Sequence, residues 1–249
     1  MSAPWHAGFF AGRFDRAGLR WPLRIFVGVA IASALGLAFL GAGARPWLFM
    51  GLAAAGAFLV WSVWDETRGR AATIGRLRAR WLALPDVIDN GADLHFSEDG
   101  QPLIARLATG ASGHTVTILT PLRETTAAFR IASQALPRPG FDGADPPIGG
   151  PPLSPLPGLQ SMLHDELRIE GNEPAQLERW LDQTLVSALL SAARDHADSF
   201  RGLTFDGRFL AVHWVGELAA DPLTVRALSA PLWRPFVPRL PPPRPELLN

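Results

Sequence analysis

Leu203-Thr-Phe-Asp-Gly-Arg-Phe-Leu-Ala-Val-His-Trp-Val215 decides how the second half of this 249-residue chain is read. Two β-rich apolar runs flank Asp206-Gly207. An Asp-Gly pair in that setting signals a tight hairpin, because such turns need residues that tolerate positive φ. Upstream, Leu177, Leu181, Leu185, Ala188 and Ala192 recur at helical spacing, widened by Trp180 and Thr184, while Glu178, Arg179, Asp182 and Gln183 take the solvent side. Pro174 suits a first helical turn, and the pattern predicts one helix from there to about His196. Before it, Asp165-Glu-Leu-Arg-Ile-Glu reads as a strand closed by Gly171-Asn172. Downstream, Asp221 caps and Pro222 opens a last helix.

Further upstream the same strand signals return. Leu94-His-Phe-Ser and Pro102-Leu-Ile-Ala-Arg-Leu flank Asp99-Gly100, Thr115-Val-Thr-Ile-Leu-Thr is β-branched, and Ala127-Ala-Phe-Arg-Ile-Ala alternates. Residues 137–158 then carry eight prolines, a density that predicts an exposed loop inside the domain. From Pro231 seven of 15 residues are proline, and the tail is expected to be extended. The predicted class is α+β, an antiparallel sheet with about two helices packed on it, over residues 86–233 with a proline-rich tail at 234–249.

The N-terminal quarter reads differently. Ile25 to Ala44 and Pro46 to Trp64 are free of charge, broken only by Arg45 among Gly41, Gly43 and Pro46. Runs of about 20 apolar residues are long enough to cross a bilayer, so the reading is a transmembrane helical hairpin at 25–64. Arginines count four before the first run (Arg13, Arg16, Arg20, Arg24), one between, and five after (Arg68, Arg70, Arg76, Arg78, Arg80). That asymmetry predicts an inner-membrane protein with two spans and both termini cytoplasmic, a basic segment at 1–24 and a juxtamembrane helix at 65–85. The expected partners are the lipid bilayer, anionic headgroups at the Arg-rich flanks, and a protein partner or a second copy meeting small-residue ridges at Gly28, Ala32, Gly36 and at Gly51, Ala55.

All 23 basic residues are arginine and there is no cysteine, which excludes disulfides, thiolate metal sites and cysteine nucleophiles. Residues 81–249 hold 13 Arg against 20 Asp and Glu, a net of −7, so nucleic acid is not an expected partner. The six histidines are His6, His95, His114, His164, His196 and His213, and no two stand at the i, i+4 spacing of a helical metal pair. Asp195-His196-Ala-Asp198 is the densest cluster, yet its spacing spreads the groups around a helix end. Gly110-Ala-Ser112-Gly-His114 misses the nucleophile-elbow pattern. His164 and Glu166 share one side of a strand end and form the one conceivable acid–base pair. No catalytic, cofactor-binding or metal-binding residue is assigned, and no cofactor is expected. Arg239-Leu-Pro-Pro242-Pro-Arg-Pro245 has the spacing of a polyproline ligand.

Leu167-Arg-Ile-Glu, the stripe from Leu177 to Ala192 and Phe209-Leu-Ala-Val follow one another in strand–helix–hairpin–helix order, ending near Leu232. In this the chain resembles uncharacterised bacterial membrane proteins with two N-terminal transmembrane helices and a cytoplasmic α+β domain. The resemblance covers about 65 residues of pattern without a diagnostic motif and implies architecture only. The expected function is a membrane-anchored cytoplasmic interaction domain without enzymatic activity. The alternative is an inner-membrane enzyme using loop histidine and carboxylate residues, His164 and Glu166 among them.

Overall fold

The computed structural model describes residues 25–33, 45–110, 113–136 and 153–241, in two compact units, Met1–Gly75 and Arg76–Asn249. In the second unit nine antiparallel strands form one sheet: β1 Ile88–Asn90, β2 Asp93–Glu98, β3 Gln101–Gly110, β4 Gly113–Pro121, β5 Phe129–Ser133, β6 Ser154–Pro155, β7 Leu167–Gly171, β8 Phe200–Phe205 and β9 Phe209–Val215. Their order in space is β1-β2-β3-β4-β9-β8-β5-β7-β6. The first four strands are a meander. Asp99 and Gly100 carry φ of 52° and 77° at the β2–β3 turn, the paired positive values of a two-residue hairpin.

The meander does not run on into β5. Pro121 cannot continue the ladder, and residues 122–128 pass to the far side of the β8–β9 hairpin, which fills the gap between β4 and β5. Leu122 N–H donates to Arg208 O and Thr125 N–H to Gly207 O, pinning the crossing under the 206–208 turn. Gly207 sits there at φ 94°, and a Cβ would lie 2.6 Å from Thr125 O.

Strand alternation puts Leu94, Phe96, Leu103, Ile118, Val212 and Trp214 on one face, in a continuous core with Leu77, Trp81, Leu185, Leu189, Val225 and Trp233. Those last six come from the helices: the end of α2 (Arg45–Leu82), α5 (Gln183–Asp195) and α6 (Pro222–Trp233). Two short helices, α3 (Pro157–Gln160) and α4 (Pro174–Trp180), complete the set. The helix expected from Pro174 to about His196 is therefore two. It breaks at Leu181, whose ψ of 66° leaves the helical region, and Asp182 starts α5 by accepting from Leu185 N–H at 2.8 Å. The inward stripe shifts with the break: Leu185, Leu189, Ala192 and Ala193 are buried, whereas Thr184 is exposed.

Two proline-rich stretches are more ordered than expected. The end of the 137–158 loop supplies β6, which pairs with Glu170 and Gly171, and α3, which buries Leu159; residues 137–152 lie outside the described residues. Pro231 lies inside α6, and beyond it Phe236 is fully buried with Val237 and Leu240 packed against the core, so this part of the expected extended tail is folded.

The first unit corrects the N-terminal reading. Among the described residues no helix is long and apolar enough to cross a membrane. Of the first run, only residues 25–33, which form α1, are among the described residues. In the second, the uncharged run from Pro46 to Trp64 lies within α2, about 28 Å of it, and the helix continues unbroken through Asp65, Arg68 and Arg70 to Leu82. The transmembrane hairpin at 25–64, and with it the two-span inner-membrane placement with cytoplasmic termini, is not supported. Residues 1–24, 34–44 and 242–249, which carried parts of that reading and of the polyproline motif, lie outside the described residues.

Candidate interaction surface

His164 and Glu166 do lie near each other, at the turn into β7, but they serve the fold. His164 is exposed at φ 52°, and its carbonyl accepts from Gln160 Nε2 at 2.8 Å. Glu166 accepts from Arg194 Nε at 2.8 Å, and this hydrogen bond holds its carboxyl below the usual range, the wrong direction for a proton-accepting group at neutral pH. Asp195 accepts from Ser191 Oγ, His196 packs edge-on against Trp214 and Asp198 is exposed, so that cluster does not converge. His95 contacts the Asn90 amide at 3.1 Å. Ser112 is outside the described residues. Among the described residues no group of three or more His, Asp or Glu is placed to hold a metal ion. Arg239, first residue of the polyproline pattern, is engaged by Asp182 and by the Trp180 carbonyl.

The sheet face away from the helices carries a diagonal polar row. Thr117 lies opposite His213, His213 opposite Gly202, and Arg130 opposite both Thr204 and Glu170. Thr204 Oγ1 is 2.8 Å from His213 Nε2 and Thr117 Oγ1 is 3.3 Å from Nδ1, so both ring nitrogens are engaged. Burial, and then the positive charges of Arg201 and Arg130, push the His213 pKa down to about 3, which leaves the ring neutral. Arg201 is the extra residue of a register shift between Phe200 and Gly202.

The surface that stands out for recognition is on α2. Its inward residues are Leu52, Ala55, Gly56, Leu59, Ser62 and Val63; Phe26 of α1 comes within 3.8 Å of where a Gly56 Cβ would be. The other side is also apolar, and exposed. Met50, Ala53, Ala54, Ala57, Val60, Trp61 and Trp64 form a stripe with the 3-4 spacing of a helix–helix seam, flanked by Phe49 and Phe58. Met50 is 63% exposed, Val60 70%, Trp61 56% and Trp64 55%. Exposed large apolar groups packed this closely make the stripe a candidate recognition surface, since single ones are ordinary and contiguous ones are not. The stripe is small in the middle and bulky at its ends. Arg68 lies over the Trp64 ring at 5.1 Å and closes the C-terminal end. The Gly51/Ala55 ridge expected from sequence is divided between the sides, Ala55 being buried and Gly51 exposed. The signal that finds the stripe is apolarity all round the helix from 49 to 64, which provides two faces where one fold needs one.

No protein-family model matches the chain, and no curated protein matches it. Among solved structures it is similar to the crystal structure of the mycobacterial trehalose monomycolate transport factor A, TtfA. The identity is 12%, the TM-score is 0.39, and the match covers 65% of this chain and 79% of that one. A likeness of that size transfers neither site nor function.

Proposed function

We propose that this chain is an interaction protein, whose α+β unit is a stable platform and whose recognition element is the exposed apolar side of α2. The observation that carries this is the stripe from Met50 to Trp64, lined by side chains that water solvates poorly and that are exposed among the described residues. The histidines and carboxylates of the second unit are tied into the fold by Arg194, Thr117, Thr204 and Ser191. Complementation in the cell of origin tests the reading. Trp61→Glu should abolish whatever phenotype the intact gene rescues, while His164→Ala and Glu166→Gln should rescue normally. The reverse pattern would establish the loop-based enzyme instead.

A further inference from the structure

We infer that the occupant of the α2 stripe is the same stripe of a second copy of this chain, laid antiparallel about a two-fold axis at Ala57. The inference rests on the interaction reading above and names its partner.

Size complementarity sets the direction. In an antiparallel pair centred on Ala57, residue i meets residue 114 − i, so Trp61 of one copy falls on Ala53 of the other and Val60 on Ala54. Met50 meets Trp64, and Ala57 meets itself, where the absence of bulk lets the backbones approach. A parallel pair would set Trp61 against Trp61 and Ala53 against Ala53, splaying one end and leaving a gap at the other. A two-fold pairing needs a self-complementary patch, and a stripe with small Ala53 and Ala54 on one side of Ala57 and large Val60 and Trp61 on the other satisfies that condition.

Area and charge agree. The six exposed large side chains from Phe49 to Trp64 offer about 700 Å² per copy, taking roughly 200 Å² for a large apolar side chain, close to the roughly 800 Å² per partner of a standard interface. From Pro46 to Trp64 there is no ionisable residue, so the stripe carries no charge between its ends, and Arg68 stands at its edge over Trp64.

The chain lacks cysteine, so introduced thiols report on the pairing without background. Sedimentation of the full chain should give twice its 26.9 kDa, and Ala57→Glu, at an exposed position, should raise the dissociation constant at least a hundredfold without altering the near-ultraviolet circular dichroism of the second unit. A short bis-maleimide should couple Ala57→Cys to itself and the double variant Met50→Cys/Trp64→Cys between copies. It should leave Trp64→Cys uncoupled, since those positions stand about 21 Å apart along an antiparallel pair. A monomer at 100 µM would overturn the inference, as would equal coupling through Trp64→Cys. So would wild-type chain that stays monomeric yet binds phosphatidylcholine vesicles through the stripe. If Trp61→Glu abolishes rescue in cells while the chain is a monomer, the interaction reading stands and the second-copy inference fails.

Discussion

His213 shows how one residue ties the sheet to pH. Held between Thr117 and Thr204, its ring stays neutral down to about pH 3 in the folded state, whereas in the unfolded chain it takes a proton near 6.5. The unfolded state therefore binds more protons between those values, and stability falls as pH falls through that window, by up to about 1.4 kcal/mol per unit. Asp86, Asp182 and Asp221 have carboxyls held below their ordinary range, by the Arg226 hydrogen bond, the Leu185 N–H and the Thr224 hydroxyl respectively. Their contribution is present above their ordinary pKa and is lost only at lower pH, so pH 6.5 to 5 isolates the histidine. Urea midpoints of the wild type should drop across that interval, and His213→Gln, which keeps a polar side chain but cannot titrate, should flatten the drop. Equal slopes in both proteins would assign the acid lability elsewhere.

At the scale of the element, the join between α4 and α5 is held from outside the helices. Arg239 donates to the Trp180 carbonyl at 2.6 Å, which also accepts from Asp182 N–H at 2.9 Å, and to the Asp182 carboxylate that caps α5. Asp182→Ala should cost about 1 kcal/mol through the lost cap. In a double-mutant cycle with Arg239→Ala the two effects should fail to add, by up to about 1 kcal/mol, as denaturant unfolding can measure. The same join marks the boundary of what local sequence reveals. The Asp99-Gly100 and Asp221-Pro222 signals are read correctly because the φ and capping requirements they satisfy involve only adjacent residues. Asp182 on the solvent side of a continuous helix reads equally well, until Arg239 is brought to it by the fold. Likewise β5 has the alternation of a strand, but nothing in Phe129–Ser133 says that its neighbours are β7 and β8 and not β4. The spacing of the α2 stripe can be counted from the sequence, yet which of its two apolar sides is left uncovered depends on packing.

For the molecule as a whole, the last described segment closes the core. Phe236 stacks on Phe129 at 5.9 Å and meets Trp180 edge-on at 5.8 Å, and both of those rings touch Phe205. Phe236→Ala should cost about 3–5 kcal/mol in urea unfolding, while Leu223→Ala, at 62% exposure, should stay within about 0.5 kcal/mol. A domain cut after Trp233 should be destabilised more than the first variant, because it loses Arg239 and its hold on the α4–α5 join together with the ring. The strand order has a further consequence, in time. β4 ends at Pro121, and its partner β9 is complete only at Val215, 94 residues later (215 − 121). At about 5–20 residues per second, a ribosome leaves the Thr115-Val-Thr-Ile-Leu-Thr edge open for roughly 5–20 s. During synthesis that edge is an apolar, β-branched template with no strand beside it, available to any neighbouring nascent chain that presents one.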